Sequence, residues 1–152
     1  MTRFILIWGG LLALAMSLSA SPAARVHYVG GTLTQLPAQA SGTLHVGDEE
    51  SFTFQAAGAT IRVPYRDVNM LEYGQHVTRR YLEAIVISPL FILAKRRAHF
   101  LTVGYTDSAG KQQAMIFQVG GKEIRPVLVS LEARSGRKVE YQDDEARKSG
   151  KG

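Results

Sequence analysis

Cysteine is absent from this chain of 152 residues, and the absence removes several classes of protein at once. There is no disulfide framework, no thiol nucleophile and no site for lipid attachment at a leader cleavage point. Burial must supply the stability that bridges supply in smaller exported domains. Acidic residues are also short, 13 against 18 Lys and Arg, which leaves a formal net charge of +5. A basic field attracts nucleic acid, anionic lipid and acidic polymers alike. Long apolar runs are scarce, and neither of the two present reaches the roughly 20 residues that a helix needs to cross a bilayer.

The first run extends from Phe4 to Leu18, behind the lone basic charge of Arg3 and before the small-residue stretch Ser19-Ala20-Ser21-Pro22-Ala23-Ala24. That layout is a secretory signal peptide over residues 1–23, with Ser17 and Ser19, or Ser21 and Ala23, meeting the small-residue rule at the cleavage site. An uncleaved N-terminal anchor is the alternative. Either way the chain is expected to be exported, to a periplasm or out of the cell, where it meets lipid and envelope polymers far more often than DNA. Nucleic acid is therefore not expected as a partner. About 128 residues remain after the leader, the size of one domain.

From Val26 onward the pattern is one of short strands separated by turns. Candidate strands run from Val26 to Leu36, Thr43 to Val46, Glu50 to Phe54, Ile61 to Tyr65, Asp67 to Tyr73, His99 to Thr106 and Gln113 to Val119. Phe52 and Phe54 alternate with polar neighbours, which puts both rings on one face. Asp107-Ser108-Ala109-Gly110 joins the last two strands as a hairpin turn. The period then changes: Ile124, Val127, Leu128 and Leu131 draw one apolar stripe down a helix that Gly136 stops. Residues 141–152 are polar and lack apolar spacing, and are expected to form a disordered tail.

Seven short antiparallel strands and a C-terminal amphipathic helix resemble the pleckstrin-homology-like superfold, which includes the GRAM-type domains. The residues that carry the resemblance are Asn69-Met70-Leu71-Glu72-Tyr73-Gly74, the hairpin His99 to Asp107, and Leu131-Glu132-Ala133-Arg134-Ser135-Gly136. The chain is similar to small exported bacterial domains of undefined function. The resemblance implies a mainly β (α+β) fold over residues 24–140, a bent antiparallel sheet or partly open barrel capped by one helix. It specifies shape better than partner, because the superfold hosts lipid, peptide and protein binders. Phosphoinositide-binding members hold phosphates with cations on the first hairpin, and the matching stretch Gln35 to Gly42 contains none.

The second apolar run, Tyr81 to Ala94, carries the functional expectation. Arg79 and Arg80 border it on one side and Lys95, Arg96 and Arg97 on the other, with Leu90, Phe91 and Leu93 inside. An apolar stretch between cations suits docking on an anionic membrane surface. Short apolar runs in globular domains are most often core, so the same residues also suit a core segment or covering flap, or a contact with an envelope protein. If 81–94 is core, the domain is a protein-interaction module that takes a peptide strand or subunit at the barrel edge or beside the C-terminal helix.

Catalytic and metal chemistry find no pattern. No serine sits in a G-x-S-x-G elbow, and the pairs Gly30-Gly31 and Gly120-Gly121 lack a phosphate-binding fingerprint. His27, His45, His76 and His99 stand about 18 to 31 residues apart, without the close pairs that mark a metal site. Even the one local group of candidate ligands, His45 with Asp48, Glu49 and Glu50, has the form of a solvated turn. A non-catalytic domain is expected, with no cofactor, no metal and no identified small-molecule substrate.

Overall fold

The structure, a computed structural model, describes residues 23–76, 86–87 and 98–151. The expected signal peptide lies outside the described residues except for Ala23, which already belongs to the first strand. Nine strands and two helices follow in order: β1 (Ala23–Gly31), β2 (Ser41–His45), β3 (Ser51–Ala56), β4 (Ala59–Pro64), a single 3-10 turn (Tyr65–Asp67), β5 (Val68–Gly74), β6 (Val86–Ile87), β7 (His99–Thr106), β8 (Gln112–Val119), α1 (Ile124–Ser135), β9 (Val139–Tyr141) and α2 (Asp144–Lys151).

All the strands belong to one mixed sheet, ordered β4-β3-β2-β1-β8-β7-β5-β9, with β6 beside the end of β1. The 3-10 turn links β4 to β5, which stand near opposite ends of that order. A three-residue connection can make that link only if the sheet rolls round on itself. It does not close: among the described residues β4 pairs with β3 alone. The fold is therefore mainly β, as expected. The additions are β6, the parallel strand β9 on β5 and the second helix.

Alternation explains the core. In β1, Ala24, Val26 and Tyr28 point inward while Ala23, Arg25 and His27 face solvent. Phe52 and Phe54 of β3 are fully buried, and Phe54 meets Phe117 of β8 edge-on at 4.9 Å between ring centres. α1 presents Ile124, Val127, Leu128 and Leu131 to this core, at the i, i+3, i+4, i+7 spacing the sequence predicts. Each such side chain contributes about 1.5–3 kcal/mol by leaving water. The helix stops at Gly136, which takes the left-handed conformation at φ 68°. Arg134 then staples the helix end to the turn after β2 by donating to the Val46 and Gly47 carbonyls at 3.0 and 3.1 Å.

A second, smaller cluster of Val29, Ala98, Phe100, Ala114 and Ile116 is also buried. It arises because β1, β7 and β8 are buried on both faces near Gly30, where alternation gives way to a continuous buried run. The bulge between Tyr28 and Gly30 sits at the same place.

The expected disordered tail is corrected by the structure. Val139 to Tyr141 pair in parallel with Leu71 to Tyr73, and α2 follows with Ala146 fully buried. The sequence hid this because only Val139, Tyr141 and Ala146 are apolar. Hydrogen bonds and two close backbone approaches, described below, hold the rest.

Candidate functional site

The described sheet ends at β4 on one side and at β9, laid on β5, on the other, and the chemistry of the two sides differs. β4 is one terminal strand of the sheet and, among the described residues, pairs with β3 alone. It follows β3 through a two-residue turn, Ala57 at φ 51° and Gly58 at φ 77°, with Ala56 paired to Ala59. That geometry is a type I′ hairpin, whose turn-flanking residues form a hydrogen-bonded pair. Counting along the register, Ala59, Ile61 and Val63 spend their backbone groups on β3. Thr60 and Arg62 present N–H and C=O outward, and Pro64 has no N–H to present.

The side chains alternate in the same sense. Thr60 and Arg62 are exposed, Val63 is buried and Ile61 half-buried. Along the inner side of this edge runs a groove of about 520 Å³, lined by Ile61 and Val63 on one wall and by Leu33, Tyr105, Ser108 and Gln113 across the seam. A second cleft of about 590 Å³ lies toward α1, among Glu49, Glu50, Ser51, Arg62, Arg66 and Arg134. Arg62 and Arg66 line both. Each has one exposed acidic neighbour, Asp48 and Asp67, at 3.7 Å, and contacts of this kind hold a guanidinium only weakly. Asp48 is itself engaged: the Glu50 and Ser51 N–H groups hold its carboxyl below the usual range.

The far wall of the groove is braced by its own turn. Asp107 accepts from the Ala109 and Lys111 N–H groups, both at 2.9 Å, and from Gln113 Nε2 at 2.7 Å. These donors keep its carboxyl below the ordinary value. Gly110, at φ 76°, supplies the positive φ the turn needs.

The opposite edge, β5, is filled by β9 and α2. The Gln142 N–H donates to the Tyr73 carbonyl at 3.1 Å, and Gln142 Nε2 donates to Glu72 Oε1 at 2.9 Å. Tyr73 sits beneath the segment. Its hydroxyl meets Ser149 Oγ at 2.9 Å and His99 Nδ1 at 2.5 Å, and its ring stacks on His99 at 5.9 Å and 11°. Burial raises the Tyr73 phenol and lowers the His99 imidazole, so both favour their neutral forms.

The residues singled out in the sequence, Arg79, Arg80, Leu90, Phe91, Leu93, Lys95, Arg96 and Arg97, lie outside the described residues. Of the apolar run only Val86 and Ile87 are described; they form β6, pairing in antiparallel with Gly31 and Gly30. Among the described residues no three His, Asp or Glu side chains form a metal-holding group, and no helix is long and apolar enough to cross a membrane. His27 instead bonds Ser41 Oγ at 2.9 Å. The free β4 edge was signalled in the sequence by Thr60, Arg62 and Pro64 alternating with apolar residues. The Tyr73–His99–Ser149 chain had no sequence signal, since its members come from three distant strands and helices. No protein-family model and no curated protein sequence matches this chain.

Proposed function

We propose that this chain is a non-catalytic binding module of the cell envelope that takes an extended segment of a partner protein along the free edge of β4. The observation that carries the reading is the pairing of an unbonded strand edge with a groove beside it. Thr60 and Arg62 offer two donors and two acceptors to an incoming strand, and Pro64 limits its length by removing the next donor. Every second side chain of that strand would enter the groove between Ile61 and Tyr105, where Arg66, Asp67, Ser108 and Gln113 suit short polar side chains such as threonine. The strand order supports a pleckstrin-homology-like reading as well. With β6 and β9 set aside, it is a meander of four strands and a meander of three, joined through β1 and β8, with α1 beside the seam.

The test is NMR titration of the purified chain with pentapeptides of alternating valine and threonine. Shifts at the Thr60 and Arg62 amides that vanish in Thr60→Pro support the reading. Absence of shifts, or shifts that survive the substitution, would remove it.

A second reading keeps the membrane surface as the partner, through residues 79–97. One observation favours it. Gly74 pairs with Phe100, and both His99 and Val26 pair with Val119. The roots of the cation-bordered segment and the strand that follows the leader therefore share one end of the sheet. Sedimentation with neutral and anionic vesicles separates the two readings: salt-sensitive pelleting with anionic lipid, lost in Phe91→Asp with Leu93→Asp, belongs to the membrane reading alone.

A further inference from the structure

Residues 137–151 have the composition of a segment that does not fold alone. β9 has three residues, and α2 has eight, short of the roughly 12–15 at which even good isolated helices become marginal. α2 buries only Ala146 and Gly150. Its docking is nevertheless specific. A Cβ on Gly150 would stand 3.2 Å from the Tyr73 ring of β5, and 2.6 Å from the ring of Tyr141 within the segment itself. Gly74 is packed as closely against the Gln142 side chain. With the Tyr73 and Gln142 hydrogen bonds, these approaches make the β5 edge and residues 137–151 complementary surfaces.

The connection between α1 and this segment is three residues, Gly136 to Lys138. Its direction is set at Gly136, whose φ of 68° turns the chain back onto its own β5 edge. Nothing stands within 4 Å of where a Cβ at Gly136 would be, so the requirement for glycine there is conformational and not steric. In the right-handed conformation α1 would run on and carry residues 137–151 away from the sheet that made it. The vacated edge would then fit the same segment from another molecule.

We propose that Gly136 is a hinge and that two copies of this chain exchange residues 137–151, each supplying β9 and α2 to the other's β5 edge. Every contact at that edge is the same in the closed monomer and the exchanged dimer. The balance is therefore set by the hinge and by chain concentration against the effective concentration of the tethered segment. The proposal does not depend on the reading of β4.

Sedimentation velocity of the purified chain tests it, with wild type, Gly136→Ala and Gly136→Ala combined with Gly150→Val. Alanine disfavours the left-handed turn and favours continuation of α1, so the dimer dissociation constant should fall by about tenfold or more. Adding Gly150→Val should return the chain to monomer. A Gly136→Ala chain that stays monomeric up to about 0.5 mM overturns the proposal, and so does a dimer that persists in the double variant. If the double variant does not fold, excess synthetic peptide of residues 137–151 replaces it. The peptide should dissolve the Gly136→Ala dimer, and a dimer indifferent to it overturns the exchange. Thr60→Pro in the Gly136→Ala background should leave the dimer intact; its loss would place the contact at β4 and overturn the exchange.

Discussion

The two edges of this sheet solve the same physical problem in opposite ways. An unpaired strand edge exposes backbone donors and acceptors that invite any passing strand. At β5 the chain answers with its own C-terminal residues: β9 takes up the ladder and α2 lies over Tyr73 and Tyr141. At β4 it answers with an exposed Arg62 and a terminal Pro64, and among the described residues no strand pairs with the outward groups of Thr60 and Arg62. Among the described residues nothing pairs with the outer side of β4, whereas at β5 a partner strand must first remove a folded segment. The contrast teaches that accessibility, not strand pairing as such, distinguishes the proposed docking edge from the proposed exchange edge.

Proline on β4 should have the largest effect at either edge. Ile61 spends its N–H on β3, so Ile61→Pro should cost about 3 kcal/mol or more, or abolish folding. Thr60, one residue earlier, spends nothing on the sheet, and Thr60→Pro should cost less than about 1 kcal/mol. Urea denaturation of both variants checks this. Equal losses would mean that Thr60 is bonded, and β4 would then not be a free edge.

At the covered edge, removing one oxygen should be costly because two partners share it. Tyr73→Phe takes the partner from His99 Nδ1 and from Ser149 at once. A loss of about 1–2 kcal/mol is expected. Amide exchange should show where it falls: protection should drop across residues 139–151 and stay unchanged in β3 and β4. A uniform drop would make the C-terminal segment part of the global folding unit and weaken its contrast with β4.

A smaller, opposite effect is expected at the turn that builds the free edge. Ala57 adopts φ 51°, a left-handed conformation that costs a residue with a Cβ more than it costs glycine. Ala57→Gly should stabilise the β3–β4 hairpin by about 0.5–1 kcal/mol in spite of the added chain entropy. Thermal unfolding gives the sign directly, and destabilisation would show that the turn carries no strain.

The legible and illegible parts of the fold divide along the same line as the edges. The seven principal strands and α1 could be read from period, because Phe52 with Phe54 and Ile124 with Leu128 announce their faces locally. β9 and α2 could not: Val139 and Tyr141 are two apolar residues in a polar stretch, and what holds them is the backbone of β5 far away in sequence. Residues 141–151 carry no local signal of their own, and the structure sets them as the end of β9 and α2 against β5. As for sites, Arg62 and Pro64 could be seen but had no meaning until the register showed which way their backbone faced. The cation-bordered run 79–97 was conspicuous in sequence, and only its centre, Val86 and Ile87, is placed, on β1.

The finest test of the covered edge is its response to pH. His99 stacks on Tyr73 beneath α2, and burial lowers its pKa below the ordinary value near 6.5. The folded chain therefore holds its proton less tightly than the unfolded chain. Above about pH 6.5 both states carry neutral His99 and the group adds no pH dependence. As pH falls through that value the unfolded state takes up the proton first, and stability declines until the lowered folded pKa is passed. Below that point both states are protonated and the loss levels off. Melting temperatures between about pH 8 and about pH 5 should show this decline, and His99→Gln should remove part of it while the contributions of exposed carboxylates remain. An identical pH profile in His99→Gln would show that the imidazole is no more neutral at the covered edge than in the unfolded chain, and the Tyr73 contact would then be packing alone.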